Sequence, residues 1–362
     1  MKRLHYLLLS GYVLALLSCV PASRTEPLGD FSALIQAVPR ASVLEEEGYY
    51  VWGGSVVKGK DGLYHMFYSR WKQDTYFNGW VTHSEVAHAV SESASGPFRF
   101  KDVALPARGA AYWDGLCTHN PTVKEFDGTY YLYYMGNTGD GKAMSELNYT
   151  HRNNQRIGVA RADSPDGPWK RSDKPFVDVS PDDDAWDALM TSNPSVTRMR
   201  NGRFLVVYKA VARQRALPFG GPVTHMAAIA ETPTGPIEKI DRRIFYKEGE
   251  MFPAEDPFIW YQESSDRYYA LVKDMHGAFT GAGVSLAFFE SGDGLDWHPA
   301  ANPLASTLEV TWQDGTTEKL AKLERPQILL EDGKPVMLYC ASGRMGEFPA
   351  KSFNIHIPLK EN

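Results

Sequence analysis

Four carboxylates in this chain sit where a pair of them could do general acid–base work: Asp187, Glu255, Asp256 and Glu324. Glu255-Asp256 and Glu324-Arg325 each stand directly before a proline and open an apolar run. Such work needs one carboxyl group that holds its proton and one that has lost it, and burial or a like-charged neighbour can separate the two. Cations recur nearby. Lys209 and Lys273 hold equivalent places in two similar segments, Arg70 lies one place further on in a third, and Arg325 stands beside Glu324. Four such groups would hold an anionic ligand by charge-assisted bonds, or would pair with Glu255, Asp256, Asp274 and Glu324. Trp52, His119, Asn120, Asn193 and His225 complete a set of candidate ligand-binding side chains.

The elements that must position these residues are repeats. Trp113-Asp114-Gly115-Leu116-Cys117-Thr118-His119-Asn120-Pro121 returns 73 residues later as Trp186-Asp187-Ala188-Leu189-Met190-Thr191-Ser192-Asn193-Pro194, identical at six of nine positions. A repeat of this period signals a reiterated supersecondary unit. Five units follow one plan: an inner strand, a turn, and an aromatic second strand. They begin at Trp52, Asn120, Asn193, Asp256 and Arg325, and Asp61-Gly62, Asp127-Gly128, Asn201-Gly202 and Asp332-Gly333 supply strong hairpin signals. A third strand and a glycine turn follow in four units, with Gly96, Gly167, Gly235 and Gly294 spaced 71, 68 and 59 apart. Helical periodicity is nearly absent.

Radial repetition accommodates such a pattern, so the expected fold is all-β: a five-bladed β-propeller of four-stranded antiparallel blades over residues 49–362. A repeat of about 65 residues is too long for a two-sheet sandwich. The last unit is short of strands, and the lead-in at 20–48 is a candidate to complete it. A propeller brings every inner-strand start to one central funnel, which is where the polar residues named above converge.

Residues 1–19 read as a targeting segment. Lys2-Arg3 precede an apolar stretch, and Leu16-Leu17-Ser18-Cys19 resembles the bacterial lipoprotein signal, implying a lipid on Cys19. The expectation is an exported protein, periplasmic or anchored at the outer membrane, touching the membrane only through that lipid. A net charge of −6 with no basic stripe excludes a general nucleic-acid binder. Cys117 and Cys340 lack metal-ligand spacing. No cofactor is required. His119, His225 and the acids leave room for a structural divalent metal in the funnel, although no ligand spacing demands one.

The repeat grammar, the carboxylates before proline and the phrase Ala162-Asp163-Ser164-Pro165-Asp166-Gly167-Pro168-Trp169 resemble the five-bladed propeller glycoside hydrolases, families 43, 32, 62, 68, 117 and 130. The resemblance implies cleavage of a glycosidic bond by carboxylates across the funnel. The family 43 triad is not carried over. Its acids would fall at Trp52-Gly53-Gly54-Ser55, His119-Asn120 and Ser192-Asn193. The implied catalytic set is Asp187, Glu255, Asp256 and Glu324, with His276 as a proton donor that likeness to family 117 permits. The expected activity is exo-hydrolysis of a polysaccharide-derived oligosaccharide, uronic or sulfated. Two alternatives stay open: a polysaccharide lyase with His119 or His276 as base, and a non-catalytic glycan-binding propeller.

Overall fold

The computed structural model describes residue 1 and residues 27–360. The proposed targeting segment, Cys19 included, lies outside the described residues apart from Met1. Five antiparallel sheets surround a central axis. Blade one comprises Tyr49–Lys58, Tyr64–Lys72, Glu85–Ser91 and Arg99–Leu105. Blade two comprises Cys117–Phe126, Thr129–Asn137, Arg156–Ala162 and the short Lys170–Arg171. Blade three comprises Met190–Arg198, Phe204–Val211, Val223–Ala230 and Ile237–Ile244, and blade four Ala254–Gln262, Arg267–Asp274, Ser285–Ser291 and His298–Ser306.

Blade five is built from both ends of the chain. Its inner strand, Thr317–Glu331, pairs with Lys334–Arg344, which pairs with Phe353–Pro358. The lead-in supplies the outer strand, Val43–Leu44, in register with Ile355 and Asn354. Closing the ring this way covers strand edges that would otherwise be open.

Aromatic residues of the first three strands contribute to the cores between blades. Trp260, Tyr269 and Phe288 of blade four pack with Phe31 and with Leu338, Ile355 and Ile357, joining the lead-in and blade five to blade four. The recurring turn glycines 96, 167, 235 and 294 all have φ between 81° and 98°, a region open to glycine at little cost. Cys117 and Cys340 are buried free thiols.

One backbone feature recurs in all five inner strands and builds the site. Each carries a β-bulge that shifts its register against the neighbouring strand, at Trp52/Ser55, His119/Thr122, Ser192/Ser195, Glu255/Phe258 and Glu324/Gln327. Within each bulge one residue takes a left-handed conformation: Gly53, Asn120, Asn193, Asp256 and Arg325, with φ between 47° and 59°. Bulges re-aim side chains. Here they do so five times, at one level of the axis.

Candidate active site

The five bulge residues form an open ring at the floor of the funnel. Asn120 Nδ2 donates to Asn193 Oδ1 at 2.9 Å, and Asn193 Nδ2 donates to Asp256 Oδ1 at 2.6 Å. Arg325 Nη1 lies 4.0 Å from Asp256 Oδ1. The Arg325 side chain then crosses the axis, where Nη2 donates to Asn120 O at 2.9 Å and to Thr122 Oγ1 at 3.1 Å. Gly53 leaves the gap that this requires, since a Cβ there would lie 2.9 Å from Arg325 Cγ. Arg325 is fully buried and acts as a plug in the floor; it does not line the cavity above.

That cavity has a volume of about 180 Å³. Trp52, Trp71, Phe77, Trp80 and Phe348 form an aromatic wall, and His119, Lys209, Glu255, Asp256, Lys322 and Glu324 supply its polar side. Trp71 stands at the end of the second strand of blade one, Phe77 and Trp80 come from the insertion between that strand and the third, and Gln155 comes from the corresponding insertion of blade two.

The charged groups alternate around the wall. Glu255 pairs with Lys209 through one oxygen and lies 3.4 Å from Lys273 Nζ through the other. Lys273 Nζ is also 2.7 Å from Glu324 Oε1, and Lys322 Nζ is 3.1 Å from that same oxygen. One ammonium therefore bridges two carboxylates whose nearest oxygens are no more than about 6 Å apart.

The two adjacent acids of blade four have opposite character. Burial raises the pKa of Glu255, but Lys209 and Lys273 outweigh it and bring the group down to about 2. Burial, followed by the negative charge of Glu255, raises Asp256 to about 7 against the opposing pull of Arg325. Near neutrality Glu255 is ionised while Asp256 can hold a proton, the division of labour that paired catalytic carboxyls need. For Lys273, burial favours loss of the proton, but Glu324 and Glu255 prevail and raise its pKa.

His119 lines the cavity with Nδ1 2.8 Å from Ser84 Oγ and its ring against Trp80 and Trp71. Burial, aided by the charge of Arg325, lowers it to about 3, so the imidazole is neutral.

Of the residues anticipated from sequence, Trp52, His119, Asn120, Asn193, Lys209, Glu255, Asp256 and Glu324 meet around this cavity, with Lys273 directly behind. Five do not reach it. Asp187 turns into blade three, accepting from Tyr208 Oη at 3.0 Å and Lys239 Nζ at 2.6 Å. Asp114 does the same in blade two with Tyr134 Oη at 2.7 Å and Arg108 Nε at 2.6 Å, so the duplicated Trp-Asp is a repeated intrablade clasp. Arg70 is held by Glu46 at 2.7 Å and Glu85 at 3.0 Å, with its guanidinium over the rings of Phe100 and Tyr49. His276 is about half exposed and lies 3.2 Å from Glu250. His225 is fully buried beside Lys209 in the strand register. Burial, reinforced by the Lys209 charge, lowers it to about 3. Arg325, as described, is in the floor.

Sequence reasoning missed Lys322 and Phe348. Lys322 had a signal: it stands two residues before Glu324 on one strand, and alternate residues share a face.

No protein-family model and no curated protein matches the sequence. Solved structures do match in three dimensions. A family 117 glycoside hydrolase of the marine bacterium Zobellia galactanivorans is 17% identical, with a TM-score of 0.58 over 90% of this chain and 89% of that one. A structure described as a glycoside hydrolase is 15% identical, with a TM-score of 0.63 over 92% of each chain. The α-L-arabinanase of Cellvibrio cellulosa is 15% identical, with a TM-score of 0.56 over 86% of this chain and 92% of that one. The chain has the five-bladed β-propeller fold that these glycoside hydrolases share.

Proposed function

We propose that this protein is a glycoside hydrolase that removes a terminal anionic sugar from a polysaccharide-derived oligosaccharide. The observation that carries the reading is the pair at the funnel wall: Asp256 raised to about 7 beside Glu255 lowered to about 2, with Glu324 facing them across Lys273. Asp256 is the proton donor to the leaving oxygen. Its Oδ1 is engaged by Asn193, which leaves Oδ2 for the proton. Glu324 is the base or nucleophile, and Glu255 holds the proton on Asp256 by its charge. The shared fold of the glycoside hydrolases supports the reaction class.

The anionic preference rests on charge. Lys209 and Lys322 line the site, with Lys273 behind its wall and Arg325 in its floor, against Glu255 and Glu324 once Asp256 holds its proton. A net positive pocket favours a uronate or sulfated residue. The aromatic wall suits the apolar face of a sugar ring. A small cavity closed below by Arg325 favours a chain end over an internal segment, hence exo action. Export with a lipid on Cys19 belongs to the same proposal and places the enzyme where such oligosaccharides occur.

Incubation with uronic and sulfated oligosaccharides, read by mass and by ultraviolet absorbance, tests this. Saturated monosaccharide release is expected. An unsaturated uronide would indicate a lyase instead, and tight binding without turnover a glycan-binding propeller; either overturns the proposal.

A further inference from the structure

A second polar constellation lies away from the funnel, at the seam between blades one and two. His65, in the second strand of blade one, and His88, in the third, are both buried, and His65 Nδ1 lies 2.9 Å from His88 Nε2. Each ring has a carboxylate on its other nitrogen. Asp61 places both oxygens 3.2 Å from His65 Nε2, and Asp102 Oδ1 lies 3.4 Å from His88 Nδ1. A third carboxylate arrives from blade two: Asp166 Oδ1 is 3.8 Å from His65 Nδ1 and 2.5 Å from Lys101 Nζ. His65, His88 and Asp166 can each offer a ligand atom within 4.8 Å of the others. None belongs to the site described above.

The outer carboxylates decide what the inner nitrogens can do. A carboxylate beside one imidazole nitrogen draws the proton to that nitrogen and leaves a lone pair on the other. Applied to both rings, this sets two lone pairs against each other at 2.9 Å, with a carboxylate oxygen converging on the same space. A cation between them relieves that opposition. Gly59 fits the same picture, because a Cβ there would lie 2.3 Å from Asp61 Oδ1 and 2.7 Å from His65 Nε2, displacing the outer carboxylate.

We propose that His65 Nδ1, His88 Nε2 and Asp166 Oδ1 form a binding site for a zinc-type divalent ion that clamps blade one to blade two. Two imidazoles and one carboxylate suit zinc better than the hard, all-oxygen cations. Tetrahedral bonds of about 2.0 Å place the two nitrogens roughly 3.3 Å apart, so the rings part by a few tenths of an ångström. Asp166 turns from Lys101 to the ion, and the remaining position is open to water.

The test is equilibrium dialysis of the chelator-stripped full chain, free of any polyhistidine tag, against zinc. One zinc per chain is expected, with a rise in the unfolding temperature. His88→Gln should abolish binding, and Asp166→Asn should weaken it at least tenfold. Asp61→Asn or Asp102→Asn should weaken it about 10- to 100-fold while the fold stays intact by circular dichroism. Wild-type protein that takes up no zinc, with nitrogen-15 shifts showing one proton shared between His65 and His88, would overturn the proposal. So would unchanged binding in both Asp166→Asn and His88→Gln.

Discussion

Asn193 donates its side-chain amide to Asp256 Oδ1 at 2.6 Å, and in doing so fixes which oxygen of the acid is left for chemistry. Asn193 reaches Asp256 only because both occupy the bulge position of neighbouring inner strands. In the proposed mechanism this amide leaves Oδ2 of Asp256 to carry the proton.

In the proposed mechanism Asp256 must hold its proton, so activity should fall as pH rises through about 7. A pH profile of kcat/KM with a descending limb there is expected. Asp256→Asn should lose that limb and about 10²- to 10⁴-fold of the rate. Full activity in the variant would remove Asp256 from the mechanism.

Glu255→Gln should move the descending limb to lower pH. The substitution removes a negative charge that raises Asp256 and leaves the lysines and Arg325 that lower it. An unchanged limb would show that Glu255 does not tune its neighbour. The two acids also oppose each other in stability. The depressed pKa of Glu255 contributes stability present above the unfolded value and lost as pH falls toward 2. The raised pKa of Asp256 contributes stability that is complete below its unfolded value and disappears as pH rises through about 7. Urea unfolding of Asp256→Asn should therefore lose the decline in stability that this linkage predicts for the natural protein as pH rises from the ordinary carboxylate range to about 7.

Lys322 pairs with Glu324 while its ammonium lies 5.5 Å from the centre of the Phe348 ring, leaving its side chain about one-third exposed. Lys322→Gln should raise KM for an anionic substrate several-fold while changing kcat little, with a smaller effect on a neutral analogue. Equal effects on both would argue against charge recognition.

Asp187→Ala should leave kcat and KM near their original values and cost about 1–3 kcal/mol of stability by orphaning Tyr208 and Lys239. A large rate loss without a shift in denaturation midpoint would restore Asp187 to the catalytic set.

Gly53→Ala should be destabilising by about 1–3 kcal/mol, because φ is 59° and the new Cβ would press on Arg325. The denaturation midpoint measures this directly. A neutral result would mean that the Arg325 side chain can be displaced without cost.

The propeller was legible because its signals are local: Asp-Gly turns, aromatic strands and a nine-residue phrase said nearly twice. The site was legible wherever position along an inner strand decides direction, as for Glu255, Asp256 and Glu324. It was obscure where a partner distant in sequence decides the outcome. Glu46, in an acidic lead-in, claims Arg70; Lys239, on an outer strand, claims Asp187; and the missing side chain at Gly53 lets Arg325 fall into the axis. Such competition between partners is settled only when the blades are assembled.

The five bulges have a consequence for how this scaffold can change. The backbone at Gly53, Asn120, Asn193, Asp256 and Arg325 follows one path, while the side chains there range from none to a guanidinium. Geometry and chemistry are thus inherited separately: the bulge sets an address, and a single codon sets what is delivered to it. New specificities can arise by rewriting five letters at the floor and the two insertions at the rim, with the blades left as they are.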